Sequence, residues 1–305
     1  MIHFWEHNSI DKKKWDATIE RSFNGMVYAF SWYLDVVSPG WNALIQDDYQ
    51  AVFPLTWRKK YSFHYLYQPF FTQQLGIFST EKNLSEKTVG EFLNSIPERY
   101  RFIDIQLNVL NTFTPDNLNI SNRLTHHVDL NQSYEQISAS YSENLKRNIK
   151  RSLKNEIELS SAILPEEIIR LFRANKGKEV WQLKSKDYQM LLQLIHEADK
   201  RKLITLVGTK TPGGKWCAGA IFLKSNHEYI FFFSAANDEA RASGAMSLLI
   251  DSFIKHHANE NRSLDFEGSM DKNLARFYKS FGSKEIVYLQ VRKNKLPFYV
   301  SWIKS

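Results

Sequence analysis

Two carboxylates lie two residues apart in the run SLDFEG (263–268): Asp265 and Glu267. Alternate residues of a strand share a face, so both would look toward one cleft or one covering layer. Glu267 stands beside Gly268 at the end of the run, where sites in α/β sheets commonly open, and is the first candidate for a base; Asp265 is the second. The competing role is mechanical, a carboxylate anchoring a neighbouring helix through its backbone N–H groups. A second chemistry lies upstream, where the apolar run YIFFFSAAND (229–238) leads through residues 239–246 to a helix with Leu248, Leu249, Phe253 and Ile254 on one face. A glycine at such a turn, here Gly244, lets backbone N–H groups point at an anion and places it at the positive end of the helix dipole. Gly244 equally suits a helix that simply packs closely. Third, Lys146, Lys150 and Lys154 recur every four residues with Arg147 and Arg151 between them, giving one helix face five cations. Such a face suits tRNA phosphates, a pyrophosphate or the 3′-phosphate of coenzyme A, or is a solvated surface part-neutralised by Glu143.

The remaining reactive types carry less. Cys217, the single cysteine, has no adjacent histidine and reads as a small buried hydrophobe, and it rules out thiolate metal sites and internal disulfides. His126 and His127 fall in a strand, while His256, His257 and Glu260 sit at a helix end, where cations complement the dipole. No metal site is expected.

These groups need a scaffold, and the composition provides one. The chain has 305 residues, 43% hydrophobic and 24% charged, enough for about two domains with real cores. No apolar stretch approaches the roughly 20 residues of a membrane helix, and the first residues do not read as a secretory leader, so a cytoplasmic location is expected. A net charge of +7 favours anionic partners. Period-2 and period-3.6 patterns give, in the first part, a strand at 2–5, helices at 11–21 and 32–37, a hairpin over 43–57, an aromatic stretch at 61–78, a helix at 88–96 and a strand at 102–108. The second part reads as one long polar helix at 133–155, a strand at 157–164, helices from Pro165 and over 186–201, a meander of strands at 203–209, 216–224 and 228–235, then helix 243–257, strand 263–267, helix 274–280 and strand 286–292. The two parts match in the order of their elements, which predicts a mixed α/β protein of two like units, 1–130 and 131–305.

The run Arg241-x-x-Gly244-x-Met246, the following SLDFEG strand and the helix NLARFYKSFG, with Tyr278 four residues before Gly282, resemble the acyl-CoA-binding core of the GNAT superfamily. Met246 departs from the family's small residue and leaves less room beside the phosphates. The tandem arrangement, the basic LKRNIKRSLKN helix and the Lys279–Gly282 turn resemble the FemAB-like branch, whose members transfer aminoacyl groups from tRNA to cell-wall precursors or acyl groups from CoA. The resemblance implies two tandem GNAT-like domains and a donor, acyl-CoA (acetyl-CoA) or aminoacyl-tRNA, lying along Arg241, Ser243, Gly244, Ala245, Met246 and Ser247. It makes Tyr278 the general acid, where a packed aromatic is the other role for that residue. The acceptor, a small amine or a cell-envelope precursor, is expected to meet Tyr67, Gln68 and the cations Lys146, Arg147, Lys150 and Arg151. The rival expectation is a non-catalytic module derived from a transferase that binds RNA or an anionic envelope component. Oligomeric state is left open.

Overall fold

Alternating β and helical periodicities become fourteen strands and ten helices in the computed structural model, whose described residues are 1–81, 84–114, 119–180, 182–268 and 270–297. Two compact units result, Met1–Leu124 with Val287–Ser305, and Thr125–Ile286. The sequence pattern places the last strand in the second unit. In the structure that strand pairs with an early one and returns the chain to the first unit, a choice of partner that local pattern does not encode.

In the first unit β1 (Ile2–Trp5), α1 (Lys12–Arg21) and α2 (Ser31–Val37) precede the hairpin of β2 (Asn42–Gln46) and β3 (Ala51–Leu55). Asp11 caps α1 by accepting from the N–H groups of Lys13 and Lys14. There follow β4 (Trp57–Lys60), β5 (Phe63–Tyr67), β6 (Phe78–Ser79), α3 (Glu86–Asn94), β7 (Tyr100–Gln106) and β8 (Asn119–Asp129), which crosses into the second unit at Thr125. β5 runs parallel to β7. Leu66, Phe92, Ile103 and Ile105 fill the core between sheet and helix.

The second unit adds α4 (Tyr134–Ala139), α5 (Glu143–Lys154), β9 (Glu158–Ser160), α6 (Pro165–Ala174), α7 (Ser185–Lys200), β10 (Ile204–Lys210), β11 (Trp216–Lys224), β12 (Glu228–Ala236), α8 (Asp238–Ser243), α9 (Ala245–His257), β13 (Ser263–Asp265), α10 (Lys272–Lys279) and β14 (Lys284–Asn294). β9 to β12 form an antiparallel run, β12 pairs in parallel with β13, and β13 pairs with the end of β8. β14 pairs with β7 from Gln290 to Asn294, inside the first unit. The expected long helix at 133–155 is two helices, because Ser133 and Ser142 each cap a separate start. The segment 239–243, expected as a turn, is the short helix α8, capped by Asn237. Among the described residues no helix is long and apolar enough to cross a membrane.

Candidate functional site

β12 and β13 pair over only three residues, Glu228 to Ile230 against Ser263 to Asp265, although β12 continues to Ala236. Beyond the end of the β13 ladder, β12, still paired with β11, borders a cavity of about 510 Å³ lined by Phe231, Ser234 and Ala235 and by Leu274, Phe277 and Tyr278 of α10. Its mouth is formed by Arg241, Gly244, Met246, Ser247 and Lys176. Gly244 ends α8 and starts α9 in the left-handed region, φ 81°. A Cβ there would lie 2.6 Å from the carbonyl oxygen of Asn148, so only glycine lets the two helices meet α5 this closely. No side chain caps α9, although the Ser247 N–H already bonds the Gly244 carbonyl at 2.9 Å. That end of α9 is the electropositive side of the cavity.

Of the six positions expected along the donor, Arg241, Gly244, Met246 and Ser247 line this cavity. Ser243 and Ala245 do not. The Ser243 hydroxyl donates to the carbonyl of Glu239 at 2.8 Å, and Ala245 is buried with Ile157, Cys217 and Leu248. Arg241 is exposed and pairs with Asp238.

Tyr278 presents its ring to the cavity and stacks on Phe266 at 4.6 Å between centroids. Burial pushes its hydroxyl well above the ordinary range, and the charges of Glu267 and Asp265 act in the same direction. Glu267 lies beyond the end of β13 at φ 54°, so the strand alternation expected to carry it onto the face of Asp265 stops one residue after Asp265. Its Oε1 is buried without a hydrogen-bond partner, and burial alone pushes the carboxyl up to about 8. Asp265 is fixed from two sides, since its Oδ1 accepts the Glu267 N–H at 2.8 Å and the Thr125 hydroxyl. The arrangement can hold an anion at the end of α9 and an apolar group against Phe231 and Phe277, and it brings a buried carboxyl into the field of a phenol.

The expected acceptor contacts have other employment. The Tyr67 hydroxyl donates to the carbonyl of Val37 at 3.2 Å, and the Arg58 guanidinium covers its ring at 4.2 Å. Gln68 accepts from the Gln106 N–H and donates to the carbonyl of Thr72, both at 2.9 Å. On α5, Lys146 pairs with Glu143 and Arg151 bonds Asn148, while Arg147, Lys150 and Arg151 are exposed.

Sequence reasoning missed His127 and Glu228, which stand with Asp265 so that one ligand atom of each lies within 4.8 Å of the others. Burial works against charge on His127, but Asp265 and then Glu228 outweigh it and raise the imidazole to about 9. Burial and Asp265 push Glu228 up, with His127 opposing. Local pattern holds no signal for them, since His127 stands among other polar residues of β8 and Glu228 opens an apolar strand.

Residues 139–279 match the family model described as Acetyltransferase (GNAT) domain. A search of curated protein sequences finds no match. Among solved structures the chain is similar to FemX, with 12% identity, a TM-score of 0.66 and coverage of 95% of this chain and 98% of that one. It is also similar to the C-terminal domain of a putative lysylphosphatidylglycerol synthetase from Agrobacterium fabrum, with 11% identity, a TM-score of 0.58 and 96% and 94% coverage. L-PGS from Bacillus licheniformis is similar at 12% identity, a TM-score of 0.55 and 96% and 95% coverage. At such identities the likeness is one of fold, and it bears out the mixed α/β architecture.

Proposed function

For a chain that carries a GNAT-type acetyltransferase domain at residues 139–279, we propose an N-acyltransferase that moves an acyl or aminoacyl group from a CoA thioester or an aminoacyl-tRNA to an amine. The observation that carries this reading is the early end of the β12–β13 ladder, which opens the cavity at the uncapped start of α9 and sets Tyr278 in its wall. The donor's phosphates lie at Arg241, Gly244 and Ser247, and its acyl group reaches toward Phe231 and Tyr278. Glu267 removes the proton from the attacking amine as the new C–N bond forms. Tyr278 gives its phenolic proton to the leaving sulfur or ribose oxygen as the C–S or C–O bond breaks. Backbone N–H groups along β12 are the source of stabilisation for the oxyanion.

Two donor sources share this chemistry. The exposed cations Arg147, Lys150 and Arg151 flank Asn148, which lines the cavity, and this favours a tRNA-borne donor. Thermal unfolding with acetyl-CoA, longer acyl-CoAs and free CoA separates the two. A ligand at about a hundred times its Kd adds about 2.7 kcal/mol, a shift of a few degrees. A shift lost in Gly244→Asp and weakened in the exposed-site variant Arg241→Ala supports acyl-CoA. No shift, with charged tRNA bound in a steeply salt-dependent manner, supports aminoacyl-tRNA. Binding of neither overturns the transferase reading.

A further inference from the structure

We propose that His127, Glu228 and Asp265 form a binding site for a divalent cation of the zinc type, built on three adjacent strands. Asp265 faces His127 across the β13–β8 ladder, and Glu228 pairs with Ser263, two residues before Asp265 on the same strand. Directly opposed residues share a face of the sheet, as do residues two apart, so this register alone puts all three side chains on one side.

The three ligand atoms lie close enough together to hold one ion. His127 Nε2 lies 3.3 Å from Asp265 Oδ2, and one ligand atom of each of the three residues falls within 4.8 Å of the others. Two ligands each about 2.0 Å from a tetrahedral ion stand about 3.3 Å apart. Nε2 is buried, and the Asp265 carboxylate is its ion-pair partner, an arrangement in which an ion would take the place of the imidazole proton. The surrounding groups orient the ligands. Thr125 and the Glu267 N–H hold Oδ1 and leave Oδ2 for the centre, and the Ser263 hydroxyl stands 3.5 Å from His127 Nδ1, on the far side of the ring.

Without a cation the cluster is balanced by protons, His127 being held charged and Glu228 being pushed toward its neutral form. A divalent cation would replace those protons, with neutral His127 and two ionised carboxylates around it. One nitrogen and two carboxylate oxygens suit zinc and manganese and leave a coordination position open. The inference stands on these residues and not on the transferase reading. If it holds, Asp265 is a metal ligand and Glu267 alone remains as the base.

The test is calorimetric titration of ZnCl₂, and separately MnCl₂, into the full chain after treatment with a chelator. One equivalent should bind, and His127→Gln and Glu228→Gln should each weaken binding by more than about tenfold. His256→Gln, at the surface histidine pair, should leave it unchanged, and far-UV circular dichroism shows whether each variant is folded. Cobalt(II) provides an independent reading on the unaltered protein, since a tetrahedral site gives intense visible bands that zinc abolishes. Absence of binding, loss in His256→Gln, or affinity unchanged by His127→Gln and Glu228→Gln overturns the site.

Discussion

Each unit contains a parallel strand pair joined by a helix, β5–α3–β7 in the first and β12–α9–β13 in the second, and the two differ in how the ladder ends. In the first, four residue pairs are extended by a bridge between Leu75 and Leu107, and the Gln68 side chain takes the N–H of Gln106. The ladder is closed by the chain itself. In the second, pairing with β13 stops after three residues, while β12 runs on along the cavity with β11 as its ladder partner. The helices differ likewise. Ser85 caps α3 by accepting from the Thr88 N–H, whereas α9 starts at Gly244 with no side-chain cap. One architecture thus yields a ladder closed by its own chain in the first unit and a ladder that ends early beside a cavity in the second.

The largest effect expected on this contrast is that of Glu267→Gln. Turnover should fall by about 10²- to 10⁴-fold with donor binding kept, as for loss of a general base. Gln68→Ala, in the first unit, should leave turnover nearly unchanged and cost about 1–3 kcal/mol of stability by unsatisfying the Gln106 N–H. Equal losses of turnover in both variants would break the distinction between the closed and the open pair. Next is Tyr278→Phe, expected to lower turnover about 10²-fold while the donor-induced thermal shift persists. A lost shift with turnover per bound donor intact would make Tyr278 a packing residue.

Small changes at the two helix starts both cost stability and differ in what they do to donor binding. Gly244→Ala forces a Cβ against the Asn148 carbonyl at positive φ and should cost about 1–3 kcal/mol in urea unfolding, along with donor binding. Ser85→Ala should cost about 1 kcal/mol and leave donor binding alone. A Ser85→Ala variant that loses the donor would show that the cap of α3 matters to the site.

Much of the fold is readable in the sequence where the physics is local. Asp11 before α1, Pro165 at the first turn of α6 and the β-rich run at β12 mark their elements directly. Element order suggests two units, and the resemblance to GNAT motifs points to Arg241, Gly244 and Tyr278, all three of which line one cavity. The hidden part depends on partner choice across the chain. The return of β14 to β7 rests on a register that no window of sequence contains. The meeting of His127 with Asp265 has the same origin, two distant strands placed side by side. Gln68 reads as a binding residue because a polar side chain beside aromatics looks available, and only the ladder shows that Gln106 uses it.

The smallest effect expected separates the two joining helices by pH. α3 buries only Val89, Gly90, Phe92 and Leu93, none of which titrates. α9 carries His257 with its ring 4.3 Å from Phe253 and 4.4 Å from Tyr229, and Nδ1 2.7 Å from Glu260. Burial pushes this imidazole below its usual value; Glu260 opposes, and His256 and Lys224 reinforce the fall. The neutral form is therefore favoured by folding. Stability from this group is complete above the unfolded value, about 6.5, and is lost as pH drops toward the lower folded value, because the unfolded chain takes up its proton first. Urea unfolding of the whole chain between about pH 8 and pH 5 should show that acid slope. His257→Phe, which keeps the ring packing, should flatten part of it. An acid slope identical in the variant would mean that the attraction of Glu260, itself shared with Arg262, cancels the effect of burial on His257, and that this residue makes α9 no more pH-sensitive than α3.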